Sequence, residues 1–282
     1  MNVPSDIRPA NDVKRPQILY GTAWKKVRTE HFVVEAIRAV FRGIDTACQP
    51  KHYDEAGVGR GVARCLGKEL SRDDLYLQTK FTPLGGHDPA RVPYDREAPI
   101  DEQVRQSFEV SLENLRTGYV DGLVLHSPLA DAAQTFEAWR ALEAIVGQGG
   151  ARRLGISNCY SLKLLEALYR EAAVKPALLQ NRFYRETGFD VEIRAFCRAN
   201  GIDYQSFWTL TANPDLLEDT ATRAIAARHG RTPAQVLFRY LTQQDVVPLT
   251  GTTSAEHMRE DLAIFEFALT AEEQEEVTAL LR

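Results

Sequence analysis

The sequence predicts an α/β fold: a single closed (β/α)8 barrel with eight parallel strands. Three observations predict it. Eight short apolar runs of strand length recur along the chain, segments of helical period lie between them, and no linker or low-complexity tract breaks the alternation. Strands alternating with helices give a parallel sheet. Eight such units in 282 residues suit a closed barrel, which takes roughly 250 residues, better than an open doubly wound sheet. Residues 1–16 read as an N-terminal extension and residues 17–282 as the barrel domain.

The strand runs are Ile18–Tyr20, Gly43–Asp45, Leu75–Thr79, Val120–Leu125, Arg153–Ser157, Ala177–Gln180, Ile202–Phe207 and Val246–Leu249. In Thr29–Phe41 apolar residues fall at Val33, Ile37, Val40 and Phe41. In Asp101–Arg116 they fall at Val104, Phe108, Leu112 and Leu115. Both spacings put one apolar stripe on a polar helix. Thr232-Pro233-Ala-Gln235 joins a capping box to a proline at the first helical position, and Thr253–Glu256 and Thr270–Glu273 are further capping boxes. Thr82–Pro99, rich in Pro and Gly, is the longest irregular stretch. It follows the third strand, on the face where barrel enzymes build their sites, and reads as a structured lid with polar contacts from His87 and Tyr94.

A formal net charge of −5 with no Lys/Arg block argues against nucleic acid or an anionic membrane as a partner. No run of 18 apolar residues occurs and the N-terminus lacks an apolar signal segment, so a cytoplasmic location is expected. The four cysteines, Cys48, Cys65, Cys159 and Cys197, form no CxxC pair. Cys48 and His52 have no second ligand pair to complete a metal site, so free thiols and no metal are expected. Gly57-x-Gly59-x-Gly61 imitates a dinucleotide fingerprint but follows no strand; close helix packing explains it better.

The functional signal is positional. Apolar strands end in polar residues: Asp45, Lys80, His126, Ser157-Asn158 and Gln180-Asn181. A parallel barrel brings these ends to one rim. The preceding turn of each strand reads as apolar, so packing alone does not account for them.

Together, Gly43-Ile-Asp45-Thr-Ala47, Tyr53-Asp-Glu55, Val58-Gly59, Thr79-Lys80, Leu125-His126-Ser-Pro128, Gly155-Ile-Ser157-Asn158 and Gln180-Asn181 resemble the aldo-keto reductase superfamily, from about Ile18 to the C-terminus. The resemblance implies a catalytic tetrad of Asp45, Tyr53, Lys80 and His126. It implies a nicotinamide cofactor transferring hydride to an aldehyde or ketone, or the reverse, with Tyr53 as general acid. The chemistry is coherent: a carbonyl receiving hydride needs a proton on oxygen, a phenol of pKa about 10 is a poor donor, and an ammonium beside it lowers that pKa. His126 would orient the carbonyl. The resemblance further assigns Ser157, Asn158 and Gln180 to the nicotinamide carboxamide and Phe207 to its ring. Gly21, Thr22 and Asp45 join the cofactor set at one end, and Leu210, Thr250, Gly251, Thr252, Thr253, His257 and Asp261 at the other. Trp24, with Tyr53 and His126, faces the substrate.

Three departures from the family pattern stand out. Cys48–His52 lengthens the step from Asp45 to Tyr53 by about three residues. The basic residues expected after strand eight are replaced by Leu249, Thr250 and Ser254, which leaves NADPH favoured and NADH open. Trp208 stands near the cofactor diphosphate with no evident reason. The pocket-choosing segments are expected to be Thr82–Pro99, the region after Phe207 and the C-terminus. Two other readings remain: a cofactor-binding regulatory or scaffold protein on the same barrel, and a Schiff-base aldolase using Lys80. The partner expected is a small carbonyl or alcohol; oligomeric state and physiological direction are not legible.

Overall fold

The computed structural model describes residues 15–281; apart from Arg15 and Pro16, the expected N-terminal extension lies outside the described residues. The strands are β1 (Leu19–Gly21), β2 (Gly43–Asp45), β3 (Tyr76–Phe81), β4 (Val120–Leu125), β5 (Ala151–Ser157), β6 (Leu178–Arg182), β7 (Asp203–Phe207) and β8 (Val246–Thr250). They close in sequence order, each parallel to the next, with β8 returning to β1. Each expected strand is present, with bounds moved by two residues or fewer.

The helices follow from their apolar stripes. Helix α1 (Thr29–Arg38) buries Phe32, Val33, Ala36 and Ile37. It stops at Arg38 rather than Phe41: Val40 takes a φ of +81° and is 60% exposed, so it leaves the expected stripe. Helix α2 (Glu55–Cys65) starts at Asp54, whose side chain accepts from Gly57 N. Helix α3 (Ile100–Leu115) buries Val104, Phe108 and Leu115. The capping boxes at Thr232 and Thr270 form as expected. The one at Thr253 does not, because Ser254 is the cap of the helix Ala255–Leu262, accepting from His257 N.

The glycine run on α2 is a packing surface. A Cβ on Gly59 would lie 2.0 Å from the Asn114 carbonyl oxygen, at the end of α3. Only a glycine lets the two helices approach this closely, and this approach carries the N-terminus of α2 to the barrel rim.

The barrel interior differs from expectation. An apolar layer of Leu19, Tyr76 and Val247 fills its lower part. Above it the strands turn polar rather than apolar: Gln78 of β3 and Gln205 of β7 are buried inside, joining Gln180 of β6. Gly122 of β4 makes room for them, since a Cβ there would lie 2.6 Å from Tyr76 Oη and 2.9 Å from Gln78 Oε1. Among the described residues no helix is long and apolar enough to cross a membrane.

Replacing Gly59 with Ala forces α2 from α3. Overpacking of this kind costs about 1–3 kcal/mol, so the Gly59→Ala variant should melt several degrees lower in calorimetry. An unchanged Tm would show that the helices separate freely.

Candidate active site

The site is built around a buried ion pair. Lys80, on β3, is 1% exposed and Asp45, at the end of β2, 2%. Lys80 Nζ donates to Asp45 Oδ1 at 2.7 Å, to Oδ2 at 2.6 Å and to the Thr46 carbonyl at 2.8 Å. All three ammonium hydrogens are thereby used. Burial pushes the Lys80 pKa down, and the Asp45 carboxylate opposes that shift.

The glutamines hold the carboxylate. Gln78 Nε2 donates to Asp45 Oδ1 at 2.7 Å and Gln180 Nε2 to the same atom at 3.0 Å. Both amides also donate to Gln205 Oε1, at 2.8 and 2.9 Å, and Gln205 Nε2 returns a bond to Gln78 Oε1 at 3.0 Å. Tyr76 Oη donates to that oxygen at 3.1 Å. The Asp45 main chain is held as well, since Thr22 N and Oγ1 both donate to its carbonyl.

Tyr53 reaches the pair through a turn. Residues 48–52 fold so that Tyr53 N donates to the Gln49 carbonyl at 3.1 Å. The next two residues anchor it: Asp54 caps α2, and Glu55, buried, accepts from Thr79 Oγ1 and from Asn114 Nδ2. The Tyr53 ring centroid lies 5.4 Å from Lys80 Nζ and 6.0 Å from the His126 ring. Burial, then the Asp45 charge, push the Tyr53 phenol above its ordinary pKa. The sequence reading expected the ammonium to lower it; burial and the Asp45 charge raise it instead.

His126 follows β4. Its Nδ1 is 2.7 Å from Thr82 Oγ1, and Asn158 Nδ2 donates to its carbonyl at 2.8 Å. Burial, followed by the Lys80 charge, holds its pKa well below the usual histidine value. Thr82 is itself fixed, because its carbonyl accepts from His87 Nε2 and Tyr94 Oη, both at 2.9 Å.

These groups face a cavity of about 780 Å³, within the size range of ligand sites. Tyr53, His126, Asp45 and Trp24 line it, and Lys80 stands behind Asp45. Ser157, Asn158, Gln180, Phe207 and Leu210 line it on the β5–β7 side, and Gly21, Thr250, Gly251, Thr252, His257 and Asp261 on the β8 side. Thr22 and Thr253 are not in its wall: Thr22 is spent on the Asp45 carbonyl, and Thr253 precedes the cap.

Residues 19–282 match the aldo/keto reductase family. The chain belongs to the aldo/keto reductase family. It is 29% identical over 274 residues to glyoxal reductase of Bacillus subtilis, covering 96% of this chain and 90% of that protein. An aldo/keto reductase structure from Brucella melitensis superposes with a TM-score of 0.79 at 28% identity, covering 94% of each chain. An aldo-keto reductase from a Medee basin deep-sea metagenome library superposes with a TM-score of 0.81 at 22% identity, covering 96% of this chain and 93% of that one. Membership in the aldo/keto reductase family supports an oxidoreductase that reduces carbonyl compounds.

For an aldo/keto reductase barrel, one of the three expected selecting segments lines the cavity and two do not. No residue of Thr82–Pro99 lines the cavity; His87 and Tyr94 turn inward onto the Thr82 carbonyl. The C-terminal residues 263–281 do not reach it either. The region after Phe207 does line it, through Trp208, Thr209, Leu210 and Thr211, and Gln49 and His52 stand in the wall as well. The His52 ring packs on Trp24 with centroids 3.9 Å apart. Trp24 and Trp208 both carry positive φ, a conformation that is uncommon for bulky residues and costs about 1–3 kcal/mol. Sequence reasoning missed Gln78 and Gln205. Their signal was available: a glutamine in mid-strand, where a barrel interior usually takes a branched apolar residue.

A His126 pKa below the unfolded value of about 6.5 means that the unfolded chain takes up the proton first. Stability from this group is therefore present above about pH 6.5 and is lost as pH falls below it. Nitrogen-15 spectra of the ring should show neutral imidazole at pH 6; an imidazolium at that pH would contradict the buried geometry.

Proposed function

We propose that this protein is a nicotinamide-dependent carbonyl reductase in which Tyr53 is the general acid, Lys80 and Asp45 tune it, and His126 orients the substrate oxygen. The observation that carries the reading is the convergence of Tyr53, His126 and Asp45 on one cavity, with Lys80 behind Asp45 and every ammonium hydrogen bonded. That bonding also argues against a Schiff-base role, since no free amine is presented.

The wall chemistry fits a carboxamide. Gln180 Nε2 and Asn158 Nδ2 are already committed inside the protein. Gln180 Oε1 and Asn158 Oδ1, which takes only a 3.4 Å bond from Tyr160, remain to accept from an amide N–H, and the Ser157 hydroxyl to donate to an amide oxygen. Phe207 offers a ring face beside them. The bound nicotinamide supplies the hydride.

The protein residues then do the proton work. A Thr82 hydroxyl donating to His126 Nδ1 leaves Nε2–H to donate to the carbonyl oxygen and fix its pose. Burial keeps the Tyr53 phenol protonated through neutral pH, so Oη holds the proton that the oxygen takes as charge develops there. The Lys80 ammonium stabilises the phenolate left behind. Tyr53→Phe should lower kcat by roughly 10²–10⁴-fold in an assay of cofactor oxidation with aldehydes, while the cofactor Kd stays near wild type. Wild-type turnover in that variant would end the assignment.

The cofactor's phosphate end is the finer question. Family pattern favours NADPH. Among the described residues, however, the β8 side of the cavity is lined by Thr250, Gly251, Thr252, His257, Glu260 and Asp261, with no Lys or Arg. A buried cation, Lys25, donates to the Gly251 carbonyl at 2.9 Å. Two acidic side chains near a 2′-phosphate favour NADH, so the preference between the two should be narrow, with Kd values within about tenfold. A side chain on Gly251 would enter open space. Gly251→Lys should tighten NADPH about tenfold, as one charge-assisted hydrogen bond of about 1.5–3 kcal/mol allows, and leave NADH unchanged. Equal tightening of both would refute the 2′-phosphate placement.

A further inference from the structure

Arg182 has no role in the site described above. It is the last residue of β6, two positions beyond Gln180, and so lies on the same face of the strand. It pairs in register with Phe207 of β7. It is the only Lys or Arg among the described residues lining the main cavity. Its guanidinium carbon lies 4.0 Å from the centroid of Trp208, 5.1 Å from Tyr184 and 6.0 Å from Phe207.

The guanidinium is held but not satisfied. Its Nε is fully buried and has no hydrogen-bond partner. Among the described residues no carboxylate lies within 4.0 Å of it, whereas Arg153 is paired with Asp203 and Arg152 with Asp121; Arg239, whose Nε is likewise buried without a partner, does not line the cavity. The Arg182 backbone N–H donates to Tyr160 Oη at 3.1 Å. A half-buried guanidinium with unmet donors is costly unless something accepts from it. Stacking on an aromatic face fixes the planar fork, leaving its edge to recognise a two-oxygen acceptor. Trp208 supplies that face at a backbone φ of +56° while 49% exposed. Strain kept in an exposed tryptophan gains a reason if the ring positions the arginine.

We propose that Arg182, held on Trp208, is an anion-recognition residue of the main cavity, receiving a carboxylate or phosphate group of a ligand bound there. The inference rests on the reading of that cavity as a cofactor and substrate site. Two sources carry such oxygens: a carboxylate on the carbonyl substrate, and the diphosphate of the dinucleotide. In either case the anion completes the fork, and the charge of the ligand decides its affinity.

The test uses the full chain and two variants, Arg182→Gln and Arg182→Lys, with folding checked by circular dichroism. Tryptophan fluorescence follows titration with NADH and NADPH, then titration with benzoate and with neutral benzamide, with and without saturating oxidised cofactor. A rise of tenfold or more in cofactor Kd for Arg182→Gln assigns the anion to the diphosphate. An unchanged cofactor Kd with benzoate weakened tenfold or more, and benzamide unmoved, assigns it to a substrate carboxylate. In both cases Arg182→Lys, which keeps the charge, recovers part of the loss and stands in if the glutamine variant fails to fold. Neither effect, including a wild type that binds no benzoate and a cofactor Kd indifferent to residue 182, overturns the proposal. A wild type that binds neither cofactor overturns the parent reading instead, and the benzoate arm without cofactor then decides on Arg182 alone.

Discussion

Burying an ammonium and a carboxylate inside a barrel costs several kcal/mol per ion unless each finds enough partners, and much of this interior is arranged around that cost. Lys80 directs all its hydrogens at Asp45 and the Thr46 carbonyl. Asp45 in turn accepts from two glutamine amides, and a third glutamine closes the ring. A buried pair of this kind is weak evidence for stability and better evidence for a fixed geometry. Here the fixed geometry holds a cation beside the Tyr53 ring and a neutral imidazole across from it.

The remaining architecture delivers groups to that pair. The β3 strand carries Lys80 and Gln78 on one face and Thr79 on the other, and Thr79 binds Glu55 and so fixes the start of α2. The glycine contact at Gly59 lets α2 close on α3, which adds Asn114 to the same carboxylate. The segment after β3 is folded inward onto Thr82, which meets His126. A change in any of these layers would reach the chemistry through the position of Tyr53 or His126, at a distance from the ligand itself.

Much of this was legible in the sequence, for physical reasons that differ by residue. The eight strands were readable because parallel strands buried on both faces appear as apolar runs. Asp45, Lys80 and His126 were readable because a charged or titratable residue at the end of such a run has few structural reasons to be there. Three things were hidden. The polar middle of the barrel was hidden because Gln78 and Gln205 sit far apart in sequence and satisfy one another only across the closed sheet. The inward fold of His87 and Tyr94 was hidden because loop residues betray no direction. Arg182 was passed over because an arginine at a strand end ordinarily reads as solvated, and only the structure shows its buried Nε and the Trp208 ring beneath it.

The central claim is that this pair-centred site moves hydride to a carbonyl carbon, and isotope transfer tests it most directly. The protein would be incubated with an aldehyde and with NADH or NADPH deuterated at the 4-position of the nicotinamide, each face in turn, and the product alcohol examined by proton NMR. The account predicts deuterium on the former carbonyl carbon from one face of the ring only, and none with Lys80→Met. Alcohol formed without label from either face, or labelled equally by the Lys80→Met protein, would contradict it.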